Sequence, residues 1–235
     1  MSSGSNRVRN SISGLFSWVA HPGQPVGSDL LDIVLPHECA GCGRGGVRLC
    51  AHCRRTLRQP PGRTYARLSP PVPVWSFGPH AGPHRGVIIA LKARGRHDMV
   101  EYLARVYTAG LTYLAARGEL PEPEELVLVP APSRRSARAG GTADVVAQIA
   151  DRTQIPVAHC VGYRRTVRDS VGMSLAARKE NAQRNLVIRG ELPAAKPVLL
   201  IDDVITTGAT LQTTAMRLIA EGVNVVGALT FSAAG

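Results

Sequence analysis

One stretch of sequence decides the fold of this chain: VLLIDDVITTGAT at residues 198–210. Four apolar residues run directly into two adjacent carboxylates, Asp202 and Asp203, and a Thr/Gly turn precedes a predicted helix. An apolar run of this length, bounded by turn residues, predicts a buried strand. Because ligands of open α/β sheets bind at the carboxyl ends of such strands, the acid pair marks a candidate site.

Strand and helix patterns alternate along the chain around this stretch. Apolar residues at helical spacing predict helices over 85–93, 99–117, 142–150 and 210–221. Short apolar runs predict strands over 72–77, 126–129, 156–159, 186–188 and 223–231, with the first at an edge of the sheet. This alternation predicts an α/β fold, in which helices flank a parallel sheet.

The Thr/Gly turn has the residue types of a phosphate-binding loop. Gly208 allows the backbone to approach an anion closely, and the hydroxyl groups of Thr206, Thr207 and Thr210 are hydrogen-bond donors. Unpaired N–H groups at the start of the helix add the positive end of its dipole. Carboxylates beside such a loop suit a ligand with a phosphate and neighbouring hydroxyl groups, such as ribose 5-phosphate. The alternative to a phosphate-binding loop is that the threonines only cap the N-terminus of the helix.

Four of the five cysteines form two CxxC pairs, which are separated by seven residues. A chain of 235 residues does not need disulfides to support its core, so the pairs suit a metal in a reducing compartment. Four thiolates match a closed tetrahedral Zn²⁺ site. Reactive thiols are the alternative, because CxxC also occurs in redox sites. We expect structural Zn²⁺ on Cys39, Cys42, Cys50 and Cys53.

The chain is basic, with 28 Lys and Arg against 17 Asp and Glu and a net charge of +11. Such a charge favours anionic partners, including phosphates, nucleotides and nucleic acid. Binding of nucleic acid phosphates is a further hypothesis, although only Tyr65 is near for base stacking. The arginines around the cysteine pairs are Arg44, Arg48, Arg54, Arg55, Arg58, Arg63 and Arg67.

Composition and motif spacing exclude several protein classes. No stretch approaches the roughly 18 uninterrupted apolar residues of a membrane span. No Gly-rich loop is followed by a Walker lysine, and the histidines show no triad pattern. The GxGxxG match at residues 41–46 is interrupted by cysteine and has no preceding strand, so a dinucleotide fold is discounted.

We expect three regions along the chain. Residues 1–30 are predicted to be a flexible leader, residues 31–67 a zinc-ribbon-like module, and residues 68–235 the domain with the parallel sheet. Thiol ligands argue against export, and the predicted location is the cytoplasm.

The sequence resembles the ComF family of competence-associated, type I phosphoribosyltransferase-like proteins. Residues 198–210 are similar to the phosphoribosyl-pyrophosphate (PRPP) signature: an apolar strand, two acids, a variable pair, then Thr-Thr-Gly-x-Thr. The two CxxC pairs, the Pro-rich link over 59–73, and Leu91-Lys92 before Gly95 follow the family's order. The resemblance implies a type I phosphoribosyltransferase-like sheet with a small N-terminal zinc module that has four cysteine ligands.

The resemblance also implies a reaction, in which an unidentified nucleophilic acceptor displaces pyrophosphate from PRPP with Mg²⁺ bound. Asp202 and Asp203 would accept the ribose hydroxyl groups, and Arg178 would stabilise charge from a hood over residues 163–181. The remaining implied substrate-binding residues are Lys92, Arg134, Arg135, Arg138, Thr206, Thr207, Gly208, Ala209 and Thr210.

The chain departs from the family pattern in two places. Residues 138–142 read RAGGT where the family has Arg-Gly-aromatic-Asn, and Ser170 stands where the hood has Gln. These departures favour a rival: a non-catalytic protein that binds PRPP, or that handles single-stranded DNA with DNA-uptake proteins. The intact acid pair and Thr-Thr-Gly turn favour the enzyme.

Overall fold

The computed structural model of this chain describes residues 38–132, 141–164, 184–193 and 195–234. Its helices are α1 (Ala51–Leu57), α2 (Gly82–Arg94), α3 (Asp98–Ala116), α4 (Thr142–Thr153) and α5 (Ala209–Ala220), and a 3-10 turn covers Pro123–Glu125. Its strands are β1 (Gly62–Arg63), β2 (Val74–Ser76), β3 (Val127–Pro130), β4 (Val161–Tyr163), β5 (Leu186–Ile188), β6 (Val198–Ile205) and β7 (Val225–Ala233).

Five strands form the main sheet in the order β1-β2-β7-β6-β3. The pairs β2–β7, β7–β6 and β6–β3 are parallel, and only β1 runs antiparallel to its neighbour. Strands β4 and β5 form a separate antiparallel pair. The predicted α/β fold with a parallel sheet flanked by helices is confirmed.

The prediction of an edge strand over residues 72–77 is wrong, because β1 covers that edge of β2. Gly62 pairs with Ser76 and Arg63 with Trp75. β1 is two residues long and lies in a Pro/Gly segment that lacks an apolar pattern, so the sequence gives no strand signal there.

Strand β6 lies inside the sheet because its first half is apolar on both faces. Val198, Leu199, Leu200 and Ile201 are all fully buried. Leu199 and Ile201 join a core cluster with α2, α3 and α4, whereas Val198 and Leu200 pack with residues of α5. Burial of each such side chain contributes about 1.5 to 3 kcal/mol, which fixes the strand that carries the acid pair.

Helix α2 passes over residues of two neighbouring strands near the carboxyl ends of the sheet. Close to its start, the His84 ring lies 5.2 Å from the ring of Phe231 on β7. Close to its end, Lys92 forms an ion pair with Asp203 on β6. Gly95 then ends the helix with a φ of 64° and donates its N–H to Ala90. The helix therefore forms one wall of the candidate site.

The cysteine-bearing segment shares its core with the sheet region. Cys39, Cys53 and Leu57 are fully buried and belong to the same cluster as the helices α2 and α3. A Cβ on Gly86 of α2 would overlap the Gly41 carbonyl oxygen, so the helix and the segment pack backbone to backbone. Within the described residues, the cysteine segment thus shares a core with the helices α2 and α3 and, through β1, joins the main sheet. None of the described helices is long and apolar enough to cross a membrane.

Candidate functional site

Asp202 and Asp203 directly follow the four fully buried residues of β6. Asp202 is level with Thr230 of β7 in the register of the two strands. Consecutive strand residues point to opposite faces of a sheet, so the two carboxylates serve different faces of the same edge. Both are partly exposed, which leaves them accessible to a ligand.

The carboxylate of Asp203 is held by Lys92. The lysine ammonium contacts Oδ2 of Asp203, and the exposed fractions of the two side chains are 40% and 14%. Oδ2 itself is shielded from solvent, so Lys92 provides the balancing charge at that atom. The structure therefore brings together two of the residues that the sequence placed in the site, from distant positions in the chain.

Asp202 is positioned through its backbone as well as its side chain. The hydroxyl of Tyr107 on α3 donates to the Asp202 carbonyl oxygen at 2.5 Å. The Asp203 N–H donates to Oδ1 of Asp202 at 2.8 Å. Burial raises the pKa of the Asp202 carboxyl to about 7, and the charge of Lys92 opposes that shift. The Tyr107 hydroxyl is also buried, which raises its pKa well above the ordinary value and keeps it a donor.

The loop between β6 and α5 has the geometry expected of an anion-binding turn. Gly208 is the N-cap of α5, with a φ of 84° and a ψ of −4°, and no side chain caps the helix. Ala209 N–H lies 3.4 Å from the hydroxyl oxygen of Thr207. A recess of about 40 Å³ lies between this loop and Asp202 and is lined by residues 204–211. First-turn N–H groups of a helix are donors without partners inside the helix, so they are available to an anion.

A segment that we call the strap, residues 66–69, crosses the outside of this loop. Leu68 N–H donates to the Thr207 carbonyl oxygen at 2.9 Å, and the Gln212 side chain donates to the Ser69 carbonyl oxygen at 3.0 Å. A Cβ on Gly208 would overlap the Leu68 carbonyl oxygen and would lie 2.9 Å from the Ala66 Cβ. The missing side chain of Gly208 therefore makes room for the strap.

Tyr163 connects the β4–β5 pair to the same loop. Its hydroxyl lies 3.3 Å from the Thr210 hydroxyl. The Arg189 guanidinium donates to the Tyr163 carbonyl oxygen at 2.6 Å and fixes the end of β4. The first residue of the predicted hood segment, Tyr163, therefore contacts the loop between β6 and α5.

The four clustered cysteines form a separate candidate metal centre. Their sulfur atoms all lie within 4.8 Å of one another, and the Cys42 and Cys50 sulfurs are 3.8 Å apart. Four sulfurs at about 2.3 Å from a tetrahedral Zn²⁺ lie about 3.8 Å from each other. All five cysteines of the chain are free thiols. The cluster is therefore able to hold one metal ion.

Local hydrogen bonds favour thiolates in part of this cluster. Burial by itself would raise the pKa of Cys39, but N–H donors of Cys50, Cys42 and Gly41 outweigh it and lower the pKa to about 6. The Cys50 N–H lies 3.3 Å from the Cys39 sulfur. For Cys53, burial and the neighbouring sulfurs raise the pKa, so a bound cation would be needed to hold its thiolate.

Arg96 fastens the cysteine segment to the end of α2. Its guanidinium donates to the Glu38 carbonyl oxygen at 2.7 Å and to the Arg48 carbonyl oxygen at 3.2 Å. The same group is held by Asp98 at 2.7 Å. Lys92 lies in the last turn of α2, and Arg96 follows directly after the Gly95 cap, so the cysteine cluster and the acid pair contact the same end of this helix.

Among solved structures, the chain is similar to a phosphoribosyltransferase over part of its length. No protein-family model matches the chain. Two crystal structures of a hypoxanthine phosphoribosyltransferase from Staphylococcus aureus align at 17% identity with TM-scores of 0.36 and 0.34. Each alignment covers 57% of this chain and 62% of that chain, which is less than two thirds of its length.

Curated relatives match over most of their length. The "DNA utilization protein YhgH" of Salmonella typhi is 28% identical over 196 residues, which is 78% of this chain and 83% of the relative. The protein of the same name from Escherichia coli K12 is 28% identical over 190 residues, 78% of each chain. The resemblance to the ComF family is confirmed.

The site residues predicted from the sequence fall into two groups in the structure. Lys92, Asp202, Asp203 and the loop of Thr206, Thr207, Gly208, Ala209 and Thr210 converge at the carboxyl end of β6. Arg134, Arg135, Arg138 and Arg178 lie outside the described residues, and their roles stay predictions.

Sequence reasoning missed three contributors to the candidate site. Tyr107 fits the apolar stripe of its helix, and its hydroxyl is the one signal that could have set it apart. The strap lies in a segment whose composition predicts a linker. The contact between Tyr163 and Thr210 joins residues 47 positions apart and leaves no local pattern.

Proposed function

We propose that this protein is a phosphoribosyltransferase of the ComF type, which binds PRPP with Mg²⁺ and transfers ribose 5-phosphate to a nucleophilic acceptor. The observation that carries the proposal is the convergence of Asp202, Asp203 and the Gly208 loop at one edge of the sheet. The acids accept hydrogen bonds from the 2- and 3-hydroxyl groups of the ribose, and the loop N–H groups donate to its 5-phosphate. The cofactors of this proposal are Mg²⁺ with PRPP and structural Zn²⁺ on the four cysteines.

Each residue has a defined task in this proposal. The carboxylate oxygens of Asp202 and Asp203 are ligands of the type that would hold Mg²⁺, which would supply charge neutralisation for the departing pyrophosphate. Lys92 pairs with the Asp203 carboxylate and balances its charge. Tyr107 holds the strand carbonyl at Asp202, so the two acids keep their relative position. The leaving charge is stabilised by the basic residues Arg134, Arg135, Arg138 and Arg178.

Calorimetry with Mg·PRPP tests the binding part of this proposal. We expect Asp202→Asn and Asp203→Asn to abolish binding, because an amide replaces one acceptor oxygen by a donor. Asp151→Asn is the matched control, since Asp151 is exposed at the end of α4. Unchanged PRPP affinity in both acid variants would refute the assignment.

Release of pyrophosphate tests the catalytic part. The assay contains Mg·PRPP alone, then each member of a panel of bases, nucleosides and amines. Release that depends on one acceptor establishes the transferase and names its substrate. Tight binding without release for any acceptor supports instead the non-catalytic PRPP-binding factor.

A second candidate function is the handling of single-stranded DNA, in concert with DNA-uptake proteins. It is favoured by the name of the curated relatives, "DNA utilization protein YhgH", and by the exposure of Arg44, Arg48 and Arg55 on the cysteine segment. Tyr65, nearby in sequence, is 81% exposed and offers a ring for base stacking. Fluorescence anisotropy with a single-stranded oligonucleotide at rising salt tests it, because phosphate contacts predict a steep loss of affinity. Absence of binding at low salt would remove it.

The free thiols and the metal cluster support a cytoplasmic location in this proposal. Protein purified under reducing conditions is expected to contain one Zn²⁺ per chain, which elemental analysis measures. A protein that contains a disulfide between the CxxC pairs and no metal would contradict it.

A further inference from the structure

A histidine bonded to the end of β7, the strand next to the one that carries the acid pair, has no part in PRPP binding as described above. His80 follows β2, and its backbone N–H donates to the Ala233 carbonyl oxygen of β7 at 2.7 Å. Its ring nitrogen Nδ1 lies 2.9 Å from the hydroxyl oxygen of Ser232. Ser232 is fully buried, so this contact fixes the ring. Among the described residues, Ser232 is the ring's hydrogen-bond partner, and Nε2 is left for another.

The register of the sheet places Ser232, to which this ring is bonded, close to the acid pair on the neighbouring strand. Ser232 is level with Val204, the residue directly after Asp203. Adjacent strands are about 4.8 Å apart and rise about 3.3 Å per residue, so the Ser232 backbone lies about 6 Å from that of Asp203. A ribose held by its 2- and 3-hydroxyl groups on the acids presents C1 a few ångströms from them. An acceptor at C1 therefore comes within reach of His80.

The charges around His80 keep its ring neutral. Burial, then the cationic groups of Arg85 and Lys92 on α2, lower the pKa of His80. Asp202 and Asp203 face the same edge from β6, and Asp203 is already paired with Lys92. On α2, burial lowers the pKa of His84 as well, so that ring is also neutral. A neutral imidazole with one nitrogen held and the other available is the form that accepts a proton.

We propose that His80 is the general base on the acceptor side of the reaction, an inference that rests on the proposed transferase function. The nucleophilic nitrogen or oxygen of the acceptor forms a bond to C1 of PRPP. The C1–O bond to pyrophosphate breaks, and its electron pair leaves with the pyrophosphate. The proton of the acceptor passes to Nε2 of His80 and from there to water.

This role restricts the acceptor to one chemical class. A base at this position is useful only when the attacking atom carries a proton that must leave, as in an N–H of a heterocyclic base or amine, or an O–H. An acceptor that attacks through an unprotonated ring nitrogen, and becomes a cation, gains nothing from His80.

The first test is nuclear magnetic resonance of the imidazole groups in the whole chain, with His80→Asn to assign the signal. Bound PRPP adds several negative charges near the ring, so we expect the pKa of His80 to rise by at least about 0.5 when Mg·PRPP is added. The signal of the exposed His52 on the cysteine segment serves as the internal reference.

The second test measures pyrophosphate release from Mg·PRPP with water as the nucleophile and with the acceptor panel. We expect His80→Asn to lower the rate about 100-fold, in line with the usual size of general-base catalysis. PRPP affinity by calorimetry should stay within about threefold. The decline of wild-type rate at acid pH, where the ring is protonated, should vanish in the variant. His52→Asn is the matched control and should keep the wild-type rate.

The outcomes separate this inference from the function on which it rests. Loss of rate with intact PRPP affinity, together with the shifted His80 signal, supports the general base. Equal rates and pH profiles in the wild type and His80→Asn overturn it, as does wild-type protein that binds PRPP without any release. Wild-type protein that fails to bind PRPP in calorimetry overturns the proposed function itself.

Discussion

The contact between the strap and the Gly208 loop predicts an unusually large effect for a single added methyl group. Gly208→Ala introduces a Cβ at a residue with a φ of 84°. That Cβ would overlap the Leu68 carbonyl oxygen and press on the Ala66 Cβ. Because the overlapped atom is backbone, the strap must move as a whole rather than rotate a side chain away.

The magnitude follows from three separate costs. A non-glycine residue in the left-handed region costs about 1 to 2 kcal/mol. Overpacking against a fixed neighbour adds about 1 to 3 kcal/mol. Displacement of the strap breaks the 2.9 Å hydrogen bond from Leu68 to Thr207, worth about 1 kcal/mol. We expect Gly208→Ala to lower the free energy of unfolding by about 3 to 6 kcal/mol.

Gly222 provides a matched control for the backbone part of this cost. Its φ is 83°, almost the same as that of Gly208, but no atom of the residues that the structure describes lies within 4 Å of its added Cβ. Gly222→Ala should therefore cost only about 1 to 2 kcal/mol. The two variants should therefore differ by about 2 to 4 kcal/mol, and since 1 kcal/mol shifts Tm by about 2 to 4 °C in a chain of this size, by roughly 4 to 16 °C.

Thermal unfolding by circular dichroism measures the difference, and calorimetry with Mg·PRPP measures its effect on the loop. Gly208→Ala should also weaken PRPP binding at least about tenfold, whereas Gly222→Ala should leave it unchanged. Equal losses of Tm in the two variants would refute the reasoning, because they would show that the strap does not occupy the space beside Gly208.

Three further changes probe the acid pair and the cysteine cluster. Burial raises the pKa of Asp202 to about 7, so above that pH the ionised carboxylate lowers the free energy of unfolding. This destabilisation disappears as the pH falls toward the pKa of Asp in the unfolded chain, about 3.9. Asp202→Asn should therefore be about 1 to 2 kcal/mol more stable than the wild type at about pH 8 and lose this advantage at about pH 4. Urea titrations at the two pH values measure the difference, and the reverse trend would contradict the burial of the carboxyl. Arg96→Ala should speed the loss of Zn²⁺ to a chelator severalfold, because it removes the bonds to the Glu38 and Arg48 carbonyl oxygens, whereas Arg94→Ala, which removes only a 3.5 Å contact to Glu38, should not. Tyr107→Phe should weaken PRPP binding about fivefold to tenfold, because it removes the hydrogen bond to the Asp202 carbonyl oxygen. Equal PRPP affinity in Tyr107→Phe and the control Tyr113→Phe would show that this hydrogen bond does not contribute to binding.

Local sequence patterns were sufficient to predict the parts of the site that lie close together in the chain. The apolar run of β6, the acids after it and the glycine that opens α5 are consecutive residues, and each acts through its own backbone conformation or side-chain chemistry. The same holds for the cysteine pairs, whose spacing predicts that four sulfurs can converge. Helix α3 is predicted over 99–117 and observed over 98–116, because its apolar spacing persists along the whole helix.

The tertiary structure alone decided which distant groups meet the acid pair. Tyr107 reaches Asp202 across 95 residues, and His80 reaches Ser232 across 152. Strand β1 and the strap lie in a Pro/Gly segment whose composition indicates only an irregular chain, yet both are fixed by bonds to other strands and loops. Periodicity records which face of an element is apolar, whereas these contacts depend on how the elements are arranged around one another. For that reason the sequence by itself determined the chemistry at the end of β6, and the packing of α2, α3 and β7 determined the surroundings in which that chemistry acts.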